Sequence, residues 1–359
     1  MKPYGLILAG GGAKGAYQIG AWQAMREMGI RFSAIAGVSI GSINGAFIAS
    51  NRYKEAIEIW NNVTIDKGVK IENELKDPDN LFSMKNFSVL LREFLKNGGI
   101  DASPTKEYLS KYIDEAEVRN SEIPLGIVTY QLSSLNPLEI FVQDIPEGQL
   151  LDYLLASSKF PGVSNIGPEG ELFLDGGVYD NAPVNMLRKR GLNRLIVVDI
   201  SSIKGIAHQE DFSCAQVVYI RPNNPDELGA AFDFSEEMIE KRMTMGYLDT
   251  RKAFGKLAGK IYYFKPHTFE KLLSEYGCDA VEQLEELAYE LGLERMKVYT
   301  EREFLQKLKI LLGQNKEEEK WKEQEQKGFI DNLMKHISQI VEVKKDYSLA
   351  IDALENVTI

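Results

Sequence analysis

Ser39 lies between two glycines in the run Gly37-Val38-Ser39-Ile40-Gly41. This is the spacing of the strained strand-to-helix turn that lifts a serine hydroxyl above a sheet, beside a helix N-terminus. A serine held in that way is a nucleophile for an acyl carbon. Both glycines are steric requirements, because a side chain at either position would collide with the neighbouring strand or helix. The competing reading is an ordinary strand-to-helix turn with a capping serine. Context favours the nucleophile: small and apolar residues run from Ser33 to Val38, and Ile40, Ile43 and Phe47 follow at spacings of three and four.

A second stretch with chemistry in it is Gly10-Gly11-Gly12-Ala13-Lys14-Gly15. It follows a short apolar strand pattern, Gly5 to Ala9. It precedes a helical pattern with Tyr17, Ala21, Ala24, Met25 and Met28 on one face and Gly29 at its end. Backbone amides in such a loop are unshielded and point at negative charge. Gly10, Gly12 and Gly15 satisfy GxGxxG, but the next strand ends in Ala36-Gly37-Val38-Ser39, without the acidic residue that would hold a ribose. A Walker-type loop fails as well, since Ala16 and Tyr17 follow Gly15. The remaining role is an oxyanion hole, where one amide donor is worth about 2.7–4 kcal/mol of barrier. The first two strands of a parallel sheet are commonly neighbours, which brings loop and elbow into one site. A nucleotide-binding module using the loop for phosphate is the rival from another class, separable by a binding assay with dinucleotides and nucleoside triphosphates.

The third stretch is Glu171-Leu172-Phe173-Leu174-Asp175-Gly176-Gly177, followed by Asp180-Asn181-Ala182-Pro183. In isolation an Asp-Gly pair marks a turn. Taken in order, glycine loop, serine elbow and Asp175-Gly176-Gly177 strongly resemble the patatin-like phospholipase family, with supporting matches at Ala156-Ser157 and Pro161 and at Asp180-Asn181 and Pro183. The resemblance spans roughly Tyr4 to Ile200. It implies a lipid acyl hydrolase in which Ser39 and Asp175 form a catalytic dyad, Gly10, Gly11 and Gly12 supply oxyanion amides, and Lys14 takes the family's basic position as a substrate-binding candidate. The family pattern often has Asp before the glycines, where this chain has Ala9. An α/β-hydrolase triad of Ser39, Asp175 and His208 is the alternative. Against it, only one strand precedes Ser39, and His208 lies in a polar stretch with Gln209, Glu210 and Asp211.

The elements that must position these residues alternate between strand and helix. Strands are expected at Leu125–Leu132, Leu138–Val142, Leu195–Ile200 and Gln216–Arg221, and a helix at Gln149–Ser158. Large apolar residues between Leu81 and Leu95 are expected to fill core, with a lipid-contacting lid as the other reading. Beyond Arg221 the expected elements are a helix from Glu236 to Leu257, a strand at Lys260–Phe264 and further helices. Alternation and resemblance together imply a three-layer α/β/α sandwich with a mainly parallel sheet, plus a mostly helical C-terminal region. The expected regions are 1–225 (catalytic), 226–314 (α-rich) and 315–359 (a charged helix and an amphipathic tail). The tail, Phe329 to Val343, has the pattern of a helix that docks on the body, pairs with a second subunit or lies on a membrane.

The 359 residues carry a formal charge of −11, which argues against nucleic acid or anionic lipid surfaces as general partners and leaves transient, apolar membrane contact open. No metal or organic cofactor is expected. Cys214 and Cys278 read as reduced thiols, and no run of about 18 apolar residues occurs. A cytoplasmic protein acting on a lipid or ester substrate is therefore expected.

Overall fold

The computed structural model describes residues 2–63, 103–131, 136–158, 173–175, 181–201, 212–231 and 233–326. The Leu81 to Leu95 stretch, Gly176 and Gly177, His208, His336 and the tail beyond 326 lie outside the described residues. The chain divides into two compact units, Met1–Ala253 and Phe254–Ile359.

The first unit is built on a seven-stranded sheet. Its strands are β1 (Tyr4–Leu8), β2 (Phe32–Val38), β3 (Leu125–Gln131), β4 (Asn136–Phe141), β5 (Phe173–Asp175), β6 (Arg194–Val198) and β7 (Gln216–Ile220). The order is β4-β3-β2-β1-β6-β7, with β5 also on β3. β1, β2, β3, β6 and β7 are parallel, and β4 and β5 run antiparallel to β3. Leu6, Ile7 and Leu8 are fully buried, as expected for a central parallel strand covered on both faces.

The helices of this unit are α1 (Ala16–Glu27), α2 (Ile40–Ala49), α3 (Tyr53–Asn62), α4 (Ser103–Leu109), α5 (Glu115–Arg119), α6 (Leu150–Ser157), α7 (Val184–Arg188) and α8 (Glu236–Ala253). Alternation along the strands shows that they cover both faces. A Cβ placed at Gly45 of α2 meets Leu125 and Ile35, whereas Gly126, the next residue of β3, faces Met186 of α7. Adjacent strand residues point to opposite faces, so α2 and α7 lie on opposite sides of the sheet. This is the expected three-layer arrangement.

α8, which the sequence reading assigns to the α-rich region after residue 225, packs on α1. Their backbones touch: a Cβ at Gly20 would lie 1.8 Å from the Met243 carbonyl oxygen, and one at Gly246 would lie 2.0 Å from that of Tyr17. The buried Tyr17 hydroxyl donates to Asp249 at 2.8 Å. α8 stops at Ala253 rather than Leu257, because Gly255 turns the chain at φ +67.

The second unit contains β8 (Tyr263–Phe264) paired with β9 (Val298–Tyr299), and the helices α9 (Pro266–Tyr276), α10 (Cys278–Glu290) and α11 (Glu301–Gln326). Tyr262, Phe264, Tyr299 and Phe304 meet edge to face or tilted at centroid distances of 5.1–6.5 Å and form its core with Leu284, Leu305 and Leu308.

Candidate active site

The site is built at the end of β2. β2 stops at Val38 and α2 starts at Ile40, so Ser39 alone makes the turn, at φ 53 and ψ −128. A non-glycine residue held there costs on the order of 1–3 kcal/mol and persists only where the surroundings over-determine it. They do so here. A Cβ at Gly37 would lie 2.5 Å from the Gly41 carbonyl oxygen, and a Cβ at Gly41 would lie 2.3 Å from that of Leu8. One glycine admits the first turn of α2 and the other admits the end of β1. The Ser39 amide donates to Ser157 Oγ at 2.8 Å, and that hydroxyl donates in turn to the Val128 carbonyl at 2.6 Å. Both the amide and the hydroxyl of Ser42 donate to the Ser39 carbonyl. Ser39 is 5% exposed and is thus held largely out of bulk water.

The glycine loop follows β1, the strand from which the chain goes to β2 on one side and later returns to β6 on the other. The carboxyl end of such a switch point is where open α/β sheets hold ligands. A Cβ at Gly10 would lie 3.2 Å from Ser39 Cβ, so loop and elbow are in contact. The loop is gripped at both ends. Gly10 donates its amide to the Asn181 carbonyl at 3.3 Å and accepts from Asn181 Nδ2 at 3.4 Å, while the Ala13 amide donates to the Ala231 carbonyl at 2.6 Å. Between these anchors the amides of Gly11 and Gly12 have no acceptor among the described residues. The Gly10 amide, an expected oxyanion donor, is thus committed to Asn181, which leaves those of Gly11 and Gly12 open among the described residues.

Behind the loop runs a chain of buried amides that sequence reasoning did not find. Gln18 Nε2 donates to the Ala9 carbonyl at 2.7 Å, Asn44 Nδ2 donates to Gln18 Oε1 and the Gly15 carbonyl, and Trp60 Nε1 donates to Asn44 Oδ1. Lys14 is buried at the same loop, and burial, then the nearby Arg242 guanidinium, hold its ammonium below the usual lysine range against the opposing charge of Asp226.

Asp175 reaches the site through strand register. β2 pairs with β3 up to Val38↔Val128, and β4 lines the other edge of β3 from Gly126 to Gln131. β5 takes the edge that β2 vacates, beginning with Thr129↔Asp175. The carboxylate residue therefore stands on the row immediately after β2 ends, where Ser39 turns away. Thr129 Oγ1 donates to the Ala156 carbonyl at 3.0 Å and ties the same row to the end of α6. The Ser39 hydroxyl makes no hydrogen bond to another described side chain. His267 lies at the start of α9 in the second unit.

This arrangement has a counterpart in known sequences: the model of the patatin-like phospholipase family matches residues 6–188. The chain belongs to the patatin-like phospholipase family. Among relatives of this patatin-like chain, the lysophospholipase NTE1 of Cryptococcus neoformans var. neoformans serotype D (strain JEC21) is 29% identical over 204 residues, covering 55% of this chain and 11% of that protein. The patatin-like phospholipase domain-containing protein 7 of Rattus norvegicus is 24% identical over 200 residues, covering 55% of this chain and 13% of that protein. The chain thus spans little more than a tenth of the length of these relatives. The crystal structure of VipD from Legionella pneumophila is similar with a TM-score of 0.40 and 13% identity, over 87% of this chain and 80% of that one.

Proposed function

We propose that this patatin-like protein is a serine acyl hydrolase that cleaves ester bonds of phospholipids or other lipids. The observation that carries the reading is the backbone of Ser39, a non-glycine residue held at positive φ between two glycines that steric contact requires. A capping serine does not ask for that geometry, whereas a serine presented to a substrate above the sheet does. In the proposed reaction Ser39 Oγ attacks the acyl carbon and its proton passes to the Asp175 carboxylate. The amides of Gly11 and Gly12 hold the oxyanion, with Gly10 setting the loop against Ser39. The leaving alcohol takes the proton from Asp175, and water then attacks the acyl-enzyme by the same route. Catalytic hydrogen bonds close in the substrate complex, so the register of Asp175 beside the end of β2 is the relevant support. Lys14 adds positive charge under the loop.

A lipid substrate implies transient contact with a membrane surface, and among the described residues no helix is long and apolar enough to cross one. Cys214 and Cys278 are exposed and unpaired, which fits the proposed cytoplasmic setting.

The test is covalent labelling. An alkyl fluorophosphonate should modify Ser39 in the folded protein, read by mass spectrometry of the labelled peptide. Labelling of another serine alone, or none in a preparation that hydrolyses esters, refutes the assignment.

A further inference from the structure

The far end of the glycine loop is held by a residue well outside the family-matched region. Arg242 of α8 is fully buried and spends its guanidinium on four backbone carbonyls. Nε donates to Leu228 at 2.8 Å, Nη2 to Ala230 at 2.9 Å, and Nη1 to Asp233 at 2.5 Å and to Ala13 at 3.3 Å. Three of these acceptors gather Leu228, Ala230 and Asp233 around the charge, and the fourth belongs to the glycine loop. Next to Ala230, the Ala231 carbonyl reaches the loop a second time and accepts the Ala13 amide at 2.6 Å. That carbonyl also packs where a Cβ of Gly12 would be, 2.3 Å away. Arg242 thus fixes the carbonyl of Ala13 directly and its amide through Ala231.

We propose that Arg242 is a positioning residue that sets the Gly11 and Gly12 amides at the oxyanion. The proposal rests on the reading of those amides as oxyanion donors. The Ala13 amide belongs to the peptide plane that also carries the Gly12 carbonyl, so fixing it fixes one side of the residue whose own amide is free. At the other end, Asn181 fixes Gly10. The two anchors leave one span between them, and it is the span with unused donors.

The helix that carries Arg242 is itself packed closely on the helix that leaves the loop. α1 leaves the loop directly, and α8 crosses it backbone to backbone at Gly20 and Gly246, with the Tyr17–Asp249 hydrogen bond one turn on. A planar fork with five donors suits four carbonyls at fixed directions, which a lysine ammonium with three donors cannot reproduce.

Arg242→Lys and Arg242→Gln test this, with two readouts. Turnover of a soluble p-nitrophenyl ester should fall about 10- to 100-fold in kcat with KM changed by no more than about threefold, because donor misplacement acts on the transition state. In protein labelled with ¹⁵N-glycine, the assigned amide signals of Gly11 and Gly12 should shift or broaden in both variants, while those of Gly277 and Gly292 in the second unit stay in place. Thermal unfolding of each variant sets the folded fraction to which kcat is referred. Unmoved Gly11 and Gly12 signals overturn the proposal, and so does unchanged kcat per folded molecule accompanied only by a lower Tm. Failure of the underlying reading looks different: the loop signals move in Arg242→Lys while turnover and fluorophosphonate labelling of Ser39 hold. That result removes the oxyanion role from the loop, and the positioning role of Arg242 with it.

Discussion

At the scale of single residues, the turn at Ser39 rests on the two glycines that flank it. Gly37 and Gly41 are glycine because the first turn of α2 and the carbonyl of Leu8 occupy the space of a side chain, and a requirement of that kind leaves its mark within five residues. Ser39→Ala and Asp175→Asn should each lower ester turnover by about 10⁴-fold or more, and the double variant should be no worse, since in the proposed dyad both act on one proton transfer. Folded His208→Ala and His267→Ala proteins should keep their turnover; loss at His208 equal to that of Ser39→Ala would instead establish a triad. Ser157 carries no comparable local mark, because its partners, the Ser39 amide and the Val128 carbonyl, lie 118 and 29 residues away. Ser157→Ala leaves a buried amide without its acceptor. It should cost about 1–3 kcal/mol in urea unfolding and lower kcat more than it changes KM.

At the scale of elements, the parallel strands were legible because each is an apolar run between glycines or polar turns, and the helices because their apolar positions recur at three and four. Where the pattern misled, a side chain had captured the backbone. The segment Lys260–Phe264 has the composition of a five-residue strand, yet only Tyr263 and Phe264 pair with β9. The amides of Lys260, Ile261 and Tyr262 donate to the Glu285 carboxylate, which is 1% exposed, and are lost to any ladder. The α1–α8 crossing is a second feature that periodicity cannot reveal, since glycine contributes nothing to an apolar stripe. Its steric demand yields a direct test. Gly246→Ala puts a methyl 2.0 Å from the Tyr17 carbonyl oxygen, so α8 must move away from α1. The cost should be about 1–3 kcal/mol by denaturant unfolding. Gly313→Ala, on α11 with nothing within 4 Å of the added methyl, should be neutral or slightly stabilising.

At the scale of the whole molecule, the described site residues all belong to the first unit, and the unit ends at Ala253, well past residue 188 where the family match stops. The sequence placed a boundary near residue 225 because composition turns polar over Pro222 to Glu227, and just beyond it Leu228, Ala230 and Asp233 supply three of the carbonyls that Arg242 binds. A chain ending at Ala253 should keep ester turnover and a native circular-dichroism spectrum, whereas one ending at residue 225 lacks α8 and should lose turnover. Measured side by side, the two proteins decide where the proposed hydrolase ends. The contact between Ala13 and Arg242 also joins residues 229 apart in the chain. Translation proceeds from the N-terminus, and domains fold as their residues emerge. The ribosome therefore delivers the proposed nucleophile near the beginning of the unit and the brace for its glycine loop near the end. On the proposed reading, a nascent chain that already carries Ser39 and the glycine loop lacks their brace until α8 emerges and docks on α1.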